Sequence, residues 1–277
     1  MPTRPLMFAC ALLFAVALGG ACTTEDVHPN VVMVASPNAG IAFFLIRDDA
    51  YNPDGTANYE LPLYRVTVDG SYLTFNESTY VDVRGPTAAW DLPAPAGTHV
   101  VGLSDEQGHA VAASPAIETK PLATPPLPSY HPTVVFFGGS TSFRARVLID
   151  DPAALPAGVV HLRVMNAFVD HRPLQVVQCL TDLDANAVVQ TAGTCTPVGA
   201  PIAYGDAFET DAGADVVNKI GFSWDEPSTG DVAVQGINAG GPSGYVAGAS
   251  RSFITRIPIQ VLDPGSRVCP TCILASF

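Results

Sequence analysis

Four cysteines in the second half of the chain are the side chains with the clearest chemistry. An even number of cysteines in an exported chain indicates disulfides, and four cysteines allow three pairings. Their positions favour the local pairing, in which Cys179 bonds to Cys195 and Cys269 bonds to Cys272. We therefore expect two disulfides, both in the second half.

The same cysteines have two less favoured uses. Cys269 and Cys272 have redox spacing, but a reactive thiolate needs a helix N-terminus or nearby cations, and only five residues follow the pair. A four-cysteine zinc site needs two tight pairs, whereas 15 residues separate Cys179 from Cys195. Neither a redox centre nor a zinc site is predicted.

The remaining chemical side chains form no recognisable motif. The six histidines lie at positions 28, 99, 109, 131, 161 and 171, without an H-E-x-x-H arrangement. His161 is typical of a hydrogen-bonded sheet residue, and His171 of a turn residue. The sequence has no G-x-S-x-G elbow and no phosphate-binding glycine loop. We predict no catalytic residue and no cofactor, although a triad that meets only in space would leave no motif.

Two acidic segments resemble parts of calcium loops. Asp182, Asp184 and Asn186 alternate as at the start of an EF-hand loop, but Ala187 stands where that loop needs glycine. The segment 48–55 likewise lacks its first ligand. Calcium sites in β-sandwiches have less regular spacing, so a calcium site stays an alternative to solvated acidic turns, and no metal ligand is predicted.

The elements that would position these residues begin after an N-terminal leader. Arg4 provides a positive start, and the apolar run from Leu6 to Leu18 suits a signal-peptide core but is too short to span a bilayer. The run ends in LGGAC at 18–22, which resembles the lipobox of bacterial lipoproteins. The resemblance implies cleavage after residue 21 and lipidation of Cys22. Because Gly19 stands where the family usually has leucine, ordinary secretory cleavage is the alternative.

The residues after the leader predict a location. The polar stretch 22–30 is expected to be a tether between the anchor and the first strand. Thr23 differs from the aspartate that retains lipoproteins at the inner membrane of enteric bacteria, so the resemblance implies the outer membrane or cell surface. The membrane is then a partner through the lipid anchor. No later run reaches 18 apolar residues, so no second membrane element is expected.

Composition favours a folded, β-rich protein that does not bind nucleic acid. Hydrophobic residues make up 48% of the 277-residue chain and charged residues only 14%, which argues against disorder. The 25 prolines and 24 glycines are spread along the chain, as in proteins built of short strands and turns. The net charge of -13 repels phosphate backbones.

Alternating and continuous apolar segments predict the strands. In YRVTVDG at 64–70, apolar and polar residues alternate up to an Asp-Gly hairpin signal, and RARVLID at 144–150 also alternates. From Phe253 to Val261 the alternation continues, but Pro258 makes that segment an edge or bulged strand. Four short apolar runs are typical of central strands of a sandwich: they lie at 31–35, 41–46, 133–137 and 159–165.

One segment has a different pattern. Residues 174–192 contain no proline and no glycine, and Val176, Leu180, Leu183 and Ala187 recur at helical spacing. We expect a strand to about Leu180, followed by a short helix.

These elements predict an all-β protein with two tandem antiparallel β-sandwich domains of immunoglobulin-like type after a cleaved signal peptide. The first domain is expected at 31–150 and the second, with the disulfides, at 159–277. The proline-rich segment 151–158 is the expected linker, and the richer proline stretch at 121–132 is its rival.

The order of turns resembles the tandem domains of unknown function on bacterial surface lipoproteins. In that family a strand ends in a short turn, a strand ending in Asp-Gly follows, and a Leu-Pro-Ala-Gly lead-in precedes the next strand. The matching residues here are Ala35, Ser36, Pro37 and Asn38; Asp69 and Gly70; and Leu92, Pro93, Ala96 and Gly97. Residues 147–168 look like the passage from one repeat to the next, but the second half lacks the Asp-Gly strand end. The resemblance implies a β-sandwich fold and no assigned activity.

The resulting expectation is a non-catalytic cell-envelope lipoprotein, a binding or structural module for an envelope or extracellular polymer or protein. The alternative is a hydrolase that acts on a polysaccharide or peptidoglycan polymer. Trp90 and Trp224 would suit stacking on sugars, although two tryptophans are more often core residues.

Overall fold

The structure is a computed structural model. It describes residues 30–31, 40–50, 58, 60–76, 79–80, 82–83, 87–121, 131–139, 142–150, 159–183, 188–190, 193–213, 216–223, 232–236, 250–255 and 273–276. These residues form strands, turns and two 3-10 helices, Asp48–Ala50 and Val217–Lys219, and they include no α-helix. The prediction of an all-β fold is confirmed.

Thirteen described strands precede residue 151. They are β1 (Asn30–Val31), β2 (Gly40–Arg47), β3 (Tyr64–Val68), β4 (Ser71–Asn76), β5 (Thr79–Tyr80), β6 (Asp82–Val83), β7 (Thr87–Pro93), β8 (Gly97–His99), β9 (Val101–Ser104), β10 (Ala110–Ala113), β11 (Ile117–Thr119), β12 (His131–Gly138) and β13 (Arg144–Asp150). β1 begins at the last residue of the predicted tether.

Nine described strands follow the predicted linker, which itself lies outside the described residues. They are β14 (Val159–Met165), β15 (Gln175–Cys179), β16 (Val188–Gln190), β17 (Cys195–Pro197), β18 (Ala207–Gly213), β19 (Ile220–Ser223), β20 (Val232–Gly236), β21 (Ser250–Thr255) and β22 (Ile273–Ser276).

Two sheets of the first half pack face to face as a sandwich. The β3 sheet has the order β1-β4-β3-β9-β10, and in addition β5 pairs with β4 and β6 pairs with β3. The β2 sheet has the order β13-β12-β2-β7. A small third sheet pairs β11 with β8. The core between the two large sheets includes Phe43 from β2, Val66 from β3, Leu103 from β9 and Phe136 from β12, all nearly inaccessible to solvent.

The alternation predicted for 64–70 is present in β3. Tyr64, Val66 and Val68 are buried, while the residues between them are partly exposed. Asp69 and Gly70 have φ values of 52° and 76°, which is the left-handed conformation that a two-residue type I′ hairpin requires at both positions. Val68 pairs with Ser71 across this turn, so the predicted Asp-Gly hairpin is confirmed.

The β2 sheet is buried on both of its faces. One face meets the β3 sheet, and the other contributes to a cluster that also contains residues of the second half. That cluster consists of Ala42, Phe44, Ile46, Val135, Phe137, Leu148, Met165 and Ala167. A strand buried on both faces reads as a continuous apolar run rather than an alternating one, which explains the run at 41–46.

The second half repeats the strand pairing of the first. Its β14 sheet has the order β18-β14-β21-β22, and its β15 sheet has the order β16-β20-β19-β15-β17. β14 pairs antiparallel with β18 and parallel with β21, just as β2 pairs antiparallel with β7 and parallel with β12. β15 lies between β17 and β19 as β3 lies between β4 and β9. Eight strands of each half thus correspond in chain order and in partners.

The matching registers identify equivalent residues. β9 reads VGLS at 101–104 and β19 reads IGFS at 220–223, and their glycines pair with Thr67 of β3 and with Val177 of β15. The registers of β4 and β17 then place Cys179 and Cys195 where the first half has Asp69 and Gly70. A disulfide therefore stands where a hairpin turn closes the equivalent strands.

The helix predicted within 174–192 is wrong for the residues the structure describes. β15 ends at Cys179, as expected, but Val188–Gln190 forms β16 and pairs with β20. Leu183 is buried beside the disulfide whereas Leu180 is 74% exposed, so the two leucines share no buried face. Cross-strand pairing of β-branched residues outweighs the helical spacing.

The prediction of an edge or bulged strand after Phe253 is partly right. Within its described part, β21 lies between β14 and β22, so it is not an edge strand. Its register to β22 shifts between Ile254 and Thr255, which is the predicted irregularity. Pro258 lies outside the described residues.

Candidate functional site

Histidine and aspartate side chains pair at four places. The structure describes four histidine side chains, and each bonds to an aspartate with ring nitrogen to oxygen distances of 2.7 to 3.0 Å. The pairs are His99 with Asp69, His109 with Asp105, His161 with Asp211 and His171 with Asp48. These pairs are the first candidates for chemistry.

One pair belongs to a ladder of charges between β14 and β18. His161 stands opposite Asp211, and its Nδ1 lies 2.7 Å from Oδ1 of that residue. Two residues along, the Nε of Arg163 donates to Oε1 of Glu209 over 2.8 Å. Burial acts to raise the pKa of Glu209, but the hydrogen bond and charge of Arg163, with the charges of His161 and Arg146, lower it below its ordinary value. His161 is thus the sheet histidine that its position predicts.

A second pair lies where the two halves meet. Asp48, in the 3-10 helix after β2, accepts a hydrogen bond of 2.5 Å from the Tyr204 hydroxyl, and its other oxygen lies 2.9 Å from Nε2 of His171. The His171 ring stacks on the Tyr204 ring at 3.8 Å between centroids. His171 occupies a turn with a φ of 57°, as predicted, but it also bridges the two halves.

The same contact includes a cation over two rings. The guanidinium carbon of Arg144 lies 4.6 Å from the centroid of Phe137 and 5.2 Å from that of Tyr204. Arg146, on the same face of β13, donates to the carbonyl of Gly205 over 3.0 Å. Gly205 has a φ of 83°, and a Cβ there would lie 2.5 Å from the Phe137 ring, so only glycine fits.

This arrangement holds two surfaces together. Burial, and after it the hydrogen bond and charge of Asp48, raise the pKa of Tyr204 well above its ordinary value, so the hydroxyl remains a donor. Each oxygen of Asp48 has a partner from the second half, one Tyr204 and the other His171.

One concave feature of the described surface is a groove on the outer face of the β3 sheet. Its volume is about 240 Å³, below the range of about 300–1,000 Å³ common for small-molecule sites. Gly102 forms part of its lining, and a Cβ there would lie 2.5 Å from the hydroxyl of Thr67. Further lining residues are Gly70, Tyr72, Val100, Ala110 and Ala113.

Some of the predicted site residues lie within the described part of the structure, and others lie outside it. Cys179 and Cys195 are bonded and buried, which confirms this pairing out of the three that the sequence allowed. Cys269, Cys272 and the predicted lipidation residue Cys22 lie outside the described residues. So do most of the two calcium-like segments, and the side chains of Trp90 and Trp224.

Among the residues that the structure describes, no helix is long and apolar enough to cross a membrane. In the same residues, no group of three or more histidine, cysteine, aspartate or glutamate side chains is arranged to hold a metal ion.

The contact at Asp48 was missed by sequence reasoning. His171 is 123 residues from Asp48 and Tyr204 is 156 residues away. No spacing signal joins residues so far apart in the chain. The pairing of Asp69 with His99, which are 30 residues apart, is equally invisible in the sequence.

No protein-family model and no curated protein matches the chain.

Proposed function

We propose that this protein is a non-catalytic lipoprotein of the cell envelope, exported, anchored through Cys22, and located at the outer membrane or cell surface. Its body consists of two tandem β-sandwich domains that act as a binding or structural module for an envelope or extracellular polymer or protein. No cofactor enters the proposal.

The proposal rests on the hydrogen-bond partners of the histidine, arginine and carboxylate side chains. The histidines, arginines and carboxylates described above bond to one another between neighbouring strands or across the junction of the two halves. The two oxygens of Asp48 contact Tyr204 and His171, and those of Asp69 contact His99 and the backbone N–H of Val100. Groups used as structural ties suit a protein whose loops, held by a rigid frame, do the recognising.

The repeated strand pairing supports the tandem-domain part of the proposal. Eight strands of each half correspond in chain order and in partners. The correspondence includes the parallel pairing of β2 with β12 in the first half and of β14 with β21 in the second half. Tandem sandwich domains extend a chain away from its anchor, which is a common arrangement in surface proteins.

The anchor is tested by substitution of the predicted acylated residue. Cys22→Ser should move the protein from the detergent-soluble membrane fraction to the aqueous fraction and abolish labelling by a radioactive fatty acid. Cys10→Ser, in the leader, is the matched control and should leave both properties unchanged. Equal membrane recovery and labelling of the Cys22→Ser and wild-type proteins would contradict the lipoprotein proposal.

The non-catalytic part is tested with envelope polymers. Purified protein is incubated with peptidoglycan and with envelope polysaccharide, and both retention of the protein and release of soluble fragments are measured. We expect no release above a heat-denatured control. Release that a single carboxylate substitution abolishes would establish the hydrolase alternative instead.

A further inference from the structure

The Asp69–Gly70 turn is fastened to the chain that leaves β8. The backbone N–H of Asp69 donates to the carbonyl of Val100, and the N–H of Val100 donates to Oδ1 of Asp69, each over 2.8 Å. The second carboxylate oxygen, Oδ2, lies 2.8 Å from Nδ1 of His99. The hairpin tip therefore depends on one aspartate and on the ring of one histidine.

The other nitrogen of the His99 ring also faces an acceptor. Nε2 lies 2.8 Å from the carbonyl oxygen of Pro95. A neutral imidazole has one N–H and one lone pair, whereas a carbonyl and a carboxylate only accept. A neutral His99 would therefore direct a lone pair at one of the two oxygens, and only the imidazolium satisfies both contacts.

The His99 ring is largely shielded from water, since the residue is only 7% exposed. The hydroxyl of Thr119 also donates to the Pro95 carbonyl, over 2.6 Å. A neutral ring would still direct a lone pair at an electron-rich oxygen 2.8 Å away, and this repulsion costs free energy.

We propose that His99 is a proton-dependent clasp, which as an imidazolium joins the Asp69–Gly70 hairpin to the Pro95 carbonyl and releases this tie when it loses its proton. The device is separate from the proposed binding function and does not depend on it.

The charges around His99 agree with this assignment. Burial acts to raise the pKa of Asp69, but the hydrogen bonds from His99 and Val100 and the charge of His99 lower it below its ordinary value, so Asp69 is a carboxylate. β11 pairs with β8, and its Glu118 is exposed and alternates with Ile117, the residue opposite His99. Glu118 therefore projects to the other face, and Asp69 is the charged group that bonds to His99 among the described residues.

The pH dependence has a definite sign. Both groups that face the ring nitrogens accept hydrogen bonds, so the clasp is complete only while the ring carries both protons, and it stabilises the fold at the acidic side of the histidine range. This contribution is lost as the pH rises and the ring gives up a proton. His99 thus bonds to both Asp69 and the Pro95 carbonyl in mildly acidic surroundings, and one of the two bonds is lost in alkaline surroundings.

The equivalent position of the second half has a different closure. Cys179 and Cys195 take the places of Asp69 and Gly70, and their covalent bond is independent of protonation. At this end of the equivalent strands, the first half therefore has a contact that responds to pH, and the second half has a disulfide that does not.

The substitution Asp69→Asn tests the clasp with almost no change in shape. Its amide oxygen would still accept from Val100, while its amide N–H₂ would donate to a neutral His99 ring, and asparagine tolerates the left-handed conformation at this position. The measurement is the pair of ring nitrogen chemical shifts of each histidine in ¹⁵N-labelled full-length protein. In the pH range in which histidine titrates, we expect a larger fraction of His99 rings with both nitrogens protonated in the wild type than in the variant, whose neutral ring carries its proton on Nε2.

Thermal unfolding gives a second readout. Between about pH 6 and pH 9, the wild-type Tm should fall by about 3 °C more than that of Asp69→Asn, which corresponds to roughly one lost hydrogen bond. Asp105→Asn is the matched control, since it alters the exposed pair in which only one nitrogen of His109 faces a carboxylate. This control should unfold with the wild-type pH dependence.

Two results would overturn the proposal. One is an equal fraction of doubly protonated His99 in the wild type and Asp69→Asn at every pH, and the other is an equal pH dependence of Tm in the wild type and Asp69→Asn. If Asp69→Asn does not fold, His99→Gln replaces it. The Tm difference between wild type and His99→Gln must then shrink as the pH rises, and a constant difference would refute the clasp.

Discussion

His161 and Arg163 lie two residues apart on β14, so their side chains project from the same face of the sheet. Asp211 and Glu209 stand directly opposite them on β18, which places a carboxylate beside each basic side chain. Opposite charges that face each other across an antiparallel pair stabilise the sheet. Arg163 also donates to the carbonyl of Ile149 over 3.0 Å and so ties this ladder to β13 of the first half.

The lowered pKa of Glu209 predicts a loss of stability in acid. A carboxyl whose pKa is lower in the folded state stabilises the fold above its unfolded value, and this contribution disappears as the pH falls through the folded value. At pH 7, Glu209→Gln should reduce the free energy of unfolding by about 0.5–1 kcal/mol, since the side chain is half exposed. The difference from wild type should shrink as the pH falls below the ordinary range of glutamate, and it should vanish once Glu209 is protonated in the folded state. Glu118→Gln, on the exposed side of β11, should show no such pH-dependent difference.

At the scale of elements, the two halves close the same strand pair by different means. β3 and β4 are joined by a turn of two residues, whereas β15 and β17 are joined by an excursion that contributes β16 to the opposite edge of the β15 sheet. The disulfide holds the base of this excursion where the hairpin turn would be. Leu183 and Val177 pack beside it in a small cluster of their own.

Removal of the disulfide should selectively weaken the second half. The bond closes a loop of about 15 residues, for which loop-closure entropy gives a stabilisation of about 3 kcal/mol. The double substitution Cys179→Ala and Cys195→Ala should lower the unfolding free energy by that amount and increase hydrogen exchange in β15, β17 and β19. Exchange in β3, β4 and β9 serves as the internal control and should not change. Two titratable thiols at Cys179 and Cys195 in the native wild type would contradict the pairing itself.

At the scale of the whole molecule, the second half completes the core of the first. The outer face of the β2 sheet carries Phe44, Ile46, Val135 and Phe137, and Met165 of the second half belongs to the same buried cluster. Around this apolar contact lie the bonds from Tyr204 to Asp48 and from Arg146 to Gly205. An interface of this kind resembles a divided core more than a mobile contact between domains.

Residues 23–150 produced alone should therefore expose an apolar face and aggregate or bind a hydrophobic dye. In this fragment, replacement of Phe44 and Val135 by threonine should improve solubility. In the full-length protein, the same two substitutions should lower the unfolding free energy by several kcal/mol, because the threonines would be buried. Sedimentation of the fragment measures the gain in solubility, and denaturant unfolding of the full-length chain measures the loss of stability. A monomeric, dye-negative fragment would contradict this account of the junction.

The local features of this protein were predictable because each arises from neighbouring residues. The alternation of β3, the Asp-Gly hairpin and the end of β15 near Leu180 follow from side-chain period and turn chemistry. The disulfide of Cys179 with Cys195 follows from their short separation. The helix expected after Leu180 failed because spacing alone does not reveal that β20 offers Val188–Gln190 a strand partner.

The sequence by itself determined an all-β protein with short strands, an Asp-Gly hairpin and a local disulfide, since these depend on residues within about twenty positions of one another. Only the tertiary structure decided what covers the second face of the β2 sheet and which acceptors surround His99. The physical reason is that an apolar run shows that a strand is buried but not by what, and a histidine's hydrogen-bond partners depend on how distant turns dock. The contact of Asp48 with Tyr204, 156 residues away, exists only because both halves fold against the same sheet.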